Sequence, residues 1–237
     1  MLRQLVAASA VVALLAPASA EAQDITALCE KARRPPVGAW SEFKWVGGRQ
    51  DGATVRLSIV GSERREGAQY LWMEMMMRGF PLGPERQQGE RNTRMISKVL
   101  IESFGPGTGI PHVSIIKFGD NPAMEMPAAQ SRMATQGAPT LRGCRDAKVI
   151  GWESVTVPAG TFRAIHIKNA TGSSDSWVAP DLPFALVKEL DSEDGQSRQM
   201  LLIGHGMGAR TQITERPRPW DPRAFMQMVT GRTPPGH

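Results

Sequence analysis

The stretch Trp152-Glu153-Ser154-Val155-Thr156-Val157-Pro158-Ala159-Gly160-Thr161-Phe162-Arg163-Ala164-Ile165-His166-Ile167-Lys168 decides the fold class. β-Branched and aromatic residues alternate with polar ones on both sides of a Pro-Ala-Gly-Thr turn, the pattern of an antiparallel hairpin. A second run, Ser176-Trp177-Val178-Ala179-Pro180-Asp181-Leu182-Pro183-Phe184-Ala185-Leu186-Val187-Lys188, continues as a Trp-bearing strand, a proline-broken corner and another strand. Taking the loop as Pro158 to Thr161 pairs Val157 with Phe162. Glu153 then lies across from His166.

The same period of two recurs outward from this hairpin. In residues 53–60, Val55, Leu57 and Ile59 alternate with Thr54, Arg56 and Ser58, a strand with one wet face. Residues 37–46 and 70–78 read as its neighbours, set off by Gly47-Gly48 and Glu66-Gly67. Further strands are expected at 94–102, 112–118, 148–157, 162–168, 174–179, 185–190 and 199–205. Residues 81–92 and 105–109 read as loops. The stretch 120–143 is irregular, with a helical turn or two expected after Pro127.

Two short helices complete the pattern. One starts at Asp24, with Ile25, Leu28, Cys29 and Ala32 on one stripe. The other starts at Asp221-Pro222 and docks through Phe225, Met226 and Val229. They are needed as cover, because several strands are apolar on both faces. Tyr70, Trp72 and Met76 oppose Leu71, Met73, Met75 and Met77. The expected fold is mainly β: a single curved antiparallel sheet or half-barrel with one or two short covering helices.

Residues 1–20 have the three parts of a secretory signal peptide. Arg3 precedes a 12-residue stretch, 5–16, that is apolar except for Ser9, and Ala18-Ser19-Ala20 offers a cleavage site. That stretch is shorter than the roughly 20 residues a membrane span needs. The expected organisation is a signal peptide over 1–20, an antiparallel β domain over 24–214 and an Arg/Pro-rich tail with a short helix over 215–237. A periplasmic or secreted location follows. There, the pair Cys29 and Cys144 reads most simply as one disulfide, with two buried free thiols as the alternative.

The formal net charge is +5. Arginines are scattered, apart from Arg33-Arg34 and Arg64-Arg65, with no basic stripe of the kind nucleic-acid binders show. A solvated surface is the plain reading; weak attraction to anionic lipid or polysaccharide is the sharper one. No nucleic-acid partner is expected, and the chain is not expected to cross a membrane.

The chemistry-bearing motifs are few. His112, His166, His205 and His237 lack zinc-ligand spacing, no C-x-x-C occurs, and no G-x-S-x-G elbow occurs. No catalytic residue, metal site or cofactor is therefore assigned. Met73, Met75, Met76 and Met77 offer soft thioethers that suit Cu(I), but methionine is also the adaptable filler of apolar pockets. Leu71, Met73, Met75 and Met77 are the candidate lining of a ligand cavity. The Glu153–His166 pair stabilises the sheet or, alternatively, serves as an acid–base couple. Asp175, Asp181, Asp191 and Asp194 read as turn residues. The glycine-rich Gly204-His205-Gly206-Met207-Gly208 reads as a bulged strand end and not as a phosphate cradle.

The residues Val155 to Phe162, with Trp177-Val178-Ala179-Pro180-Asp181 and Leu186-Val187-Lys188, resemble a group of uncharacterised bacterial exported proteins that share a V-P-A-G-T-F hairpin. That group is distantly similar to the periplasmic lipoprotein-carrier-like half-barrel superfamily. The resemblance spans Lys148 to Gly204. It implies a curved sheet around an apolar concavity, possession of no recognised catalytic residues, and a lipid or lipidated envelope component as partner. The leading expectation is an exported non-catalytic protein that binds an apolar ligand in the concave face. A structural or interaction protein without a small ligand is the alternative, and a Met-based Cu(I) carrier comes third.

Overall fold

The computed structural model describes residues 27–28, 34–80, 94–102, 111–127, 130–131, 147–169, 172–193 and 196–230. Strands are β1 (Trp40–Val46), β2 (Thr54–Arg65), β3 (Ala68–Arg78), β4 (Met95–Ile101), β5 (Val113–Phe118), β6 (Met124–Glu125), β7 (Lys148–Val157), β8 (Gly160–Lys168), β9 (Ser174–Val178), β10 (Leu186–Glu193) and β11 (Gln196–Gly206). Gly48–Gln50 forms a 3-10 turn, and Pro222–Thr230 forms helix α1. Every expected strand is present; the two-residue β6 falls inside the stretch read as irregular.

The eleven strands among the described residues form one open antiparallel sheet in the order β6-β5-β4-β3-β2-β1-β11-β10-β9-β8-β7. Each half is a meander of sequential hairpins, and β1 paired with β11 joins the halves. Glu66 and Gly67 link β2 to β3 with φ of 50° and 82°, both in the left-handed region. A two-residue hairpin loop needs that conformation to match the strand twist.

The β7–β8 register departs from the expected one. Val157 pairs with Gly160 and Val155 with Phe162, so the loop is Pro158-Ala159 alone. Proline sets the first corner of a tight turn, and Gly160, at φ 137°, is already in the strand. The tip of this hairpin reaches back to β11. The β10 ladder stops at Leu201, and the Leu202 carbonyl accepts the Ala159 N–H at 3.2 Å. The β7–β11 half is thus rolled while the sheet as a whole stays open.

The inner face carries one continuous apolar cluster. Phe43, Val55, Leu57, Ile59, Val99 and Leu202 are fully buried in it. The outer face of β3–β5 holds a second, small cluster of Ile96, Ile115, Ala123 and Ile213, with Trp72, Met76 and Val113 packed on it. The cover for this face is the chain that follows β11. Thr211 and Gln212 bind Glu74, Ile213 fills the apolar patch, and Glu215 meets Lys117.

The same segment then closes the β6 edge. The Glu125 N–H donates to the Arg218 carbonyl at 2.9 Å, and the Arg218 N–H donates to the Ala123 carbonyl at 2.8 Å. Beyond it, Trp220 and Phe225 pack on the inner cluster, with Phe225 edge-on to Phe118. Residues 211–225 are therefore a strap from the outer face, round the edge strand, to the inner face. An unpaired edge is a template for association, and the strap removes this one.

Asp221 caps α1 as expected: its Oδ1 accepts the N–H groups of Arg223 at 2.9 Å and Ala224 at 3.2 Å. The docking face differs from the expected one. Trp220, Ala224 and Phe225 face the core, whereas Met226 is 47% exposed. The Val229 side chain lies outside the described residues, as do Cys29, Cys144 and their expected disulfide. Leu28 is helical and buried against the inner cluster.

Candidate functional site

Alternation along β3 settles where the candidate cavity residues go. Leu71, Met73, Met75 and Met77 all face inward, with 9%, 2%, 0% and 6% exposure, and belong to the inner cluster. They are a contiguous patch of one strand, as the period of two requires. Met95 stands directly opposite Met77 on β4, and Met124, Met126 and Met200 join the same cluster from β6, the chain after it and β11. Trp45 and Phe80 close one side of it edge to face. Met76 faces outward beneath the strap.

The inner face also carries hydroxyls. Ser41 and Ser114 are 1% and 0% exposed, and neither Oγ has a hydrogen-bond partner among the described residues. A buried orphan hydroxyl costs free energy, about 1–3 kcal/mol on mutational scales, and marks a position where a polar atom would be welcome.

A second constellation sits on the β7–β10 strands. The His166 ring has a carboxylate at each nitrogen: Glu153 Oε1 at 2.8 Å from Nδ1, and Asp175 Oδ1 at 2.8 Å from Nε2. Trp177, directly opposite His166, stacks on the imidazole at 4.3 Å and donates its Nε1–H to Glu153 Oε2 at 3.0 Å. Lys188, opposite Trp177, lies over the indole at 4.8 Å, and Lys168 reaches Asp175 Oδ2 at 3.3 Å.

These contacts set the carboxylates' titration. Hydrogen bonds from Trp177 and then His166 hold the Glu153 carboxyl below its ordinary range. Burial at Asp175 works the other way, but hydrogen bonds and charge from His166 and Lys168 outweigh it, and its carboxyl is lowered too.

The Glu153–His166 contact expected from the sequence is thus present, although the register that suggested it is not. Glu153 pairs with Ala164, and Gly151 with His166 across a bulge, so the contact is diagonal. Asp175 is a correction. It lies in β9 opposite Lys168, and Asp191 lies in β10 opposite Arg198; neither is in a turn. A directly opposed cation compensates the poor strand propensity of each aspartate. Asp181 does sit in a turn, and Asp194 is outside the described residues.

Both ring nitrogens of His166 are engaged by carboxylates, Glu153 and Asp175. Among the described residues, no three His, Cys, Asp or Glu side chains are grouped to hold a metal ion, and no helix is long and apolar enough to cross a membrane. The glycine-rich strand end has a packing reason. The β1–β11 register shifts between Glu42 and Phe43, and an added Cβ at Gly206 or Gly204 would stand 3.1 or 3.3 Å from the Trp40 indole. The absence of side chains at Gly204 and Gly206 leaves room for the ring, and the Arg56 guanidinium lies over it at 3.9 Å.

No protein-family model matches the chain, and no curated protein matches it. Among solved structures it is similar to a Parabacteroides distasonis protein named a lipoprotein, at 12% identity and a TM-score of 0.35, over 74% of this chain and 98% of that one. It is likewise similar to a Bacteroides fragilis protein named an exported protein with YmcC-like fold, at 10% identity and a TM-score of 0.35, over 73% and 98%. Neither speaks to the V-P-A-G-T-F hairpin or to the lipoprotein-carrier superfamily, and the fold rests on the strand pairing described above.

Proposed function

We propose that the protein is an exported, non-enzymatic component of the bacterial envelope that takes an acyl chain or a similar apolar ligand against the inner face of its sheet. One observation carries this reading: Met73, Met75, Met77, Met95, Met124, Met126 and Met200 share that single face. Unbranched thioether side chains repack around guests of varied shape more readily than branched ones. The Ser41 and Ser114 hydroxyls, without a hydrogen-bond partner among the described residues, supply positions for a ligand's polar end. Export is argued from the signal-peptide pattern of residues 1–20.

A second reading, a structural or interaction protein, is favoured by a different observation. Leu71, Met73, Met75 and Met77 are already buried by the protein's own side chains. Native mass spectrometry of the mature protein from its own envelope, with lipid extraction of the same sample, separates the two. A bound acyl species at defined stoichiometry supports the first. A clean apo mass, with no uptake of added fatty acid or phospholipid, leaves the second.

A further inference from the structure

We propose that Glu153, His166 and Asp175 form a proton-operated latch that ties the edge strand β7 to β9 across β8. A carboxylate oxygen only accepts, so each of the two 2.8 Å contacts needs an N–H on the ring. Both are met together only by the imidazolium. A neutral ring keeps one N–H, and its other nitrogen then turns a lone pair toward a carboxylate oxygen.

The arm that gives way is Glu153. Its side chain is 44% exposed against 25% for Asp175, and it stands on β7, the last strand of the sheet. When the ring lets go, Asp175 keeps a charged partner, Lys168 on β8 at 3.3 Å, whereas Glu153 keeps the neutral Trp177 Nε1–H at 3.0 Å. The Trp177 indole, with Lys188 of β10 on it, pins the ring by stacking and keeps it 16% exposed. The charged groups facing the imidazole are thus Glu153 from β7, Lys168 on its own β8, Asp175 from β9, and Lys188 of β10 through the indole. Loss of the ring proton removes the positive charge that bridges the two carboxylates.

The latch predicts local loosening of β7 with no global unfolding, between about pH 5 and pH 8, the range in which histidine side chains change charge. Hydrogen exchange on the full chain reads it, as protection factors at residues 152–154 corrected for intrinsic rates. The expected drop toward alkaline pH is roughly threefold to tenfold, the size of a partly exposed charge-assisted hydrogen bond. His166→Gln, which offers one donor group at all pH values, removes the step. Glu153→Gln, whose amide can meet the ring in either protonation state, removes it as well and guards against misfolding of the first variant.

Long-range 15N spectra of the ring read the proton count directly. Both ring nitrogens protonated at the acid end, and one at the alkaline end, is the expected result. A ring with a single N–H throughout the range overturns the latch. So does a pH step at 152–154 that persists unchanged in His166→Gln or Glu153→Gln.

Discussion

Thr211→Val tests whether the strap is held by its polar anchor or only by the apolar contact of Ile213. Glu74 is a carboxylate in the middle of β3, 3% exposed, on the outer face. It accepts the Thr211 hydroxyl and the Gln212 N–H, the latter at 2.8 Å, with Lys98 Nζ at 4.0 Å. Lys98 Nζ also donates to Thr211 Oγ1 at 3.0 Å, so the hydroxyl links the buried ion pair to the strap. Valine keeps the shape and removes the link.

A hydrogen bond to a buried charged group contributes about 1.5–3 kcal/mol. Gln212 and Lys98 still attend Glu74 in the variant, which places the expected loss near the middle, about 2 kcal/mol. For a domain of this size that corresponds to a fall in Tm of about 4–8 °C. Urea unfolding measures it as a shift in midpoint at unchanged m value. Trypsin gives the local readout at Arg210, which immediately precedes the strap, and at Arg223 within it, since Arg216 and Arg218 are shielded by the prolines that follow them; cleavage at the two open sites quickens as the anchoring weakens. A loss under about 0.5 kcal/mol, the range of a neutral surface change, with unchanged cleavage, refutes the anchor. Ile213 would then hold the strap alone.

Other expected outcomes concern the core, the glycine-rich strand and acid pH. Met75→Ala, at a fully buried site on the inner face, should cost about 2–4 kcal/mol in urea unfolding, whereas Met75→Leu should cost less than about 1.5 kcal/mol. If the alanine variant is near neutral, the inner face is not a close-packed core. Gly206→Ala pushes a methyl to within 3.1 Å of the Trp40 indole, and should lower Tm and alter the near-ultraviolet circular dichroism of that ring. Carboxyls whose folded pKa is depressed contribute stability above their unfolded range, and lose it as pH falls through the folded value. The depressed group comprises Glu63 (hydrogen-bonded by Arg65 and Trp72), Glu153, Asp175 and Glu215 (hydrogen-bonded by Lys117). Tm should therefore decline below about pH 4.3, the ordinary glutamate range. Lys117→Met should flatten that decline, and an acid limb unchanged by it means that Glu215 takes no part.

Most of the sheet is legible in the chain because strand formation leaves a local record. Val55, Leu57 and Ile59 alternate with polar neighbours, and β2 puts them on the inner face at 0% exposure. The same alternation places Leu71, Met73, Met75 and Met77 together on the opposite strand. Turn geometry is less legible: the difference between a four-residue and a two-residue loop at Pro158 lies in how Gly160 is used, and both fit the sequence. The Glu153–His166 contact survives that difference because diagonal and direct neighbours are both within reach across an antiparallel pair. Asp175 was not legible as the second carboxylate of His166, since aspartate is commonest in turns. Only its pairing opposite Lys168 makes a strand position tolerable. Met226 fits a buried helical stripe by spacing, but Trp220 and Phe225 take the core side and rotate it out.

By itself, the sequence determined an antiparallel β protein with a capped C-terminal helix, apolar strands in need of cover, and no recognisable catalytic motif. Each of these is written in residues a few positions apart, where periodicity, caps and turn chemistry act. The tertiary structure alone decided that β1 pairs with β11, that the β7–β8 tip returns to Leu202, and that residues 211–225 strap Glu74, Lys117 and the β6 edge. Those contacts join residues far apart in the chain, such as Trp40 with Gly206 and Gln212 with Glu74. Nothing in the local pattern of either partner records them, because they form only where sheet curvature brings two independently satisfied segments to the same place.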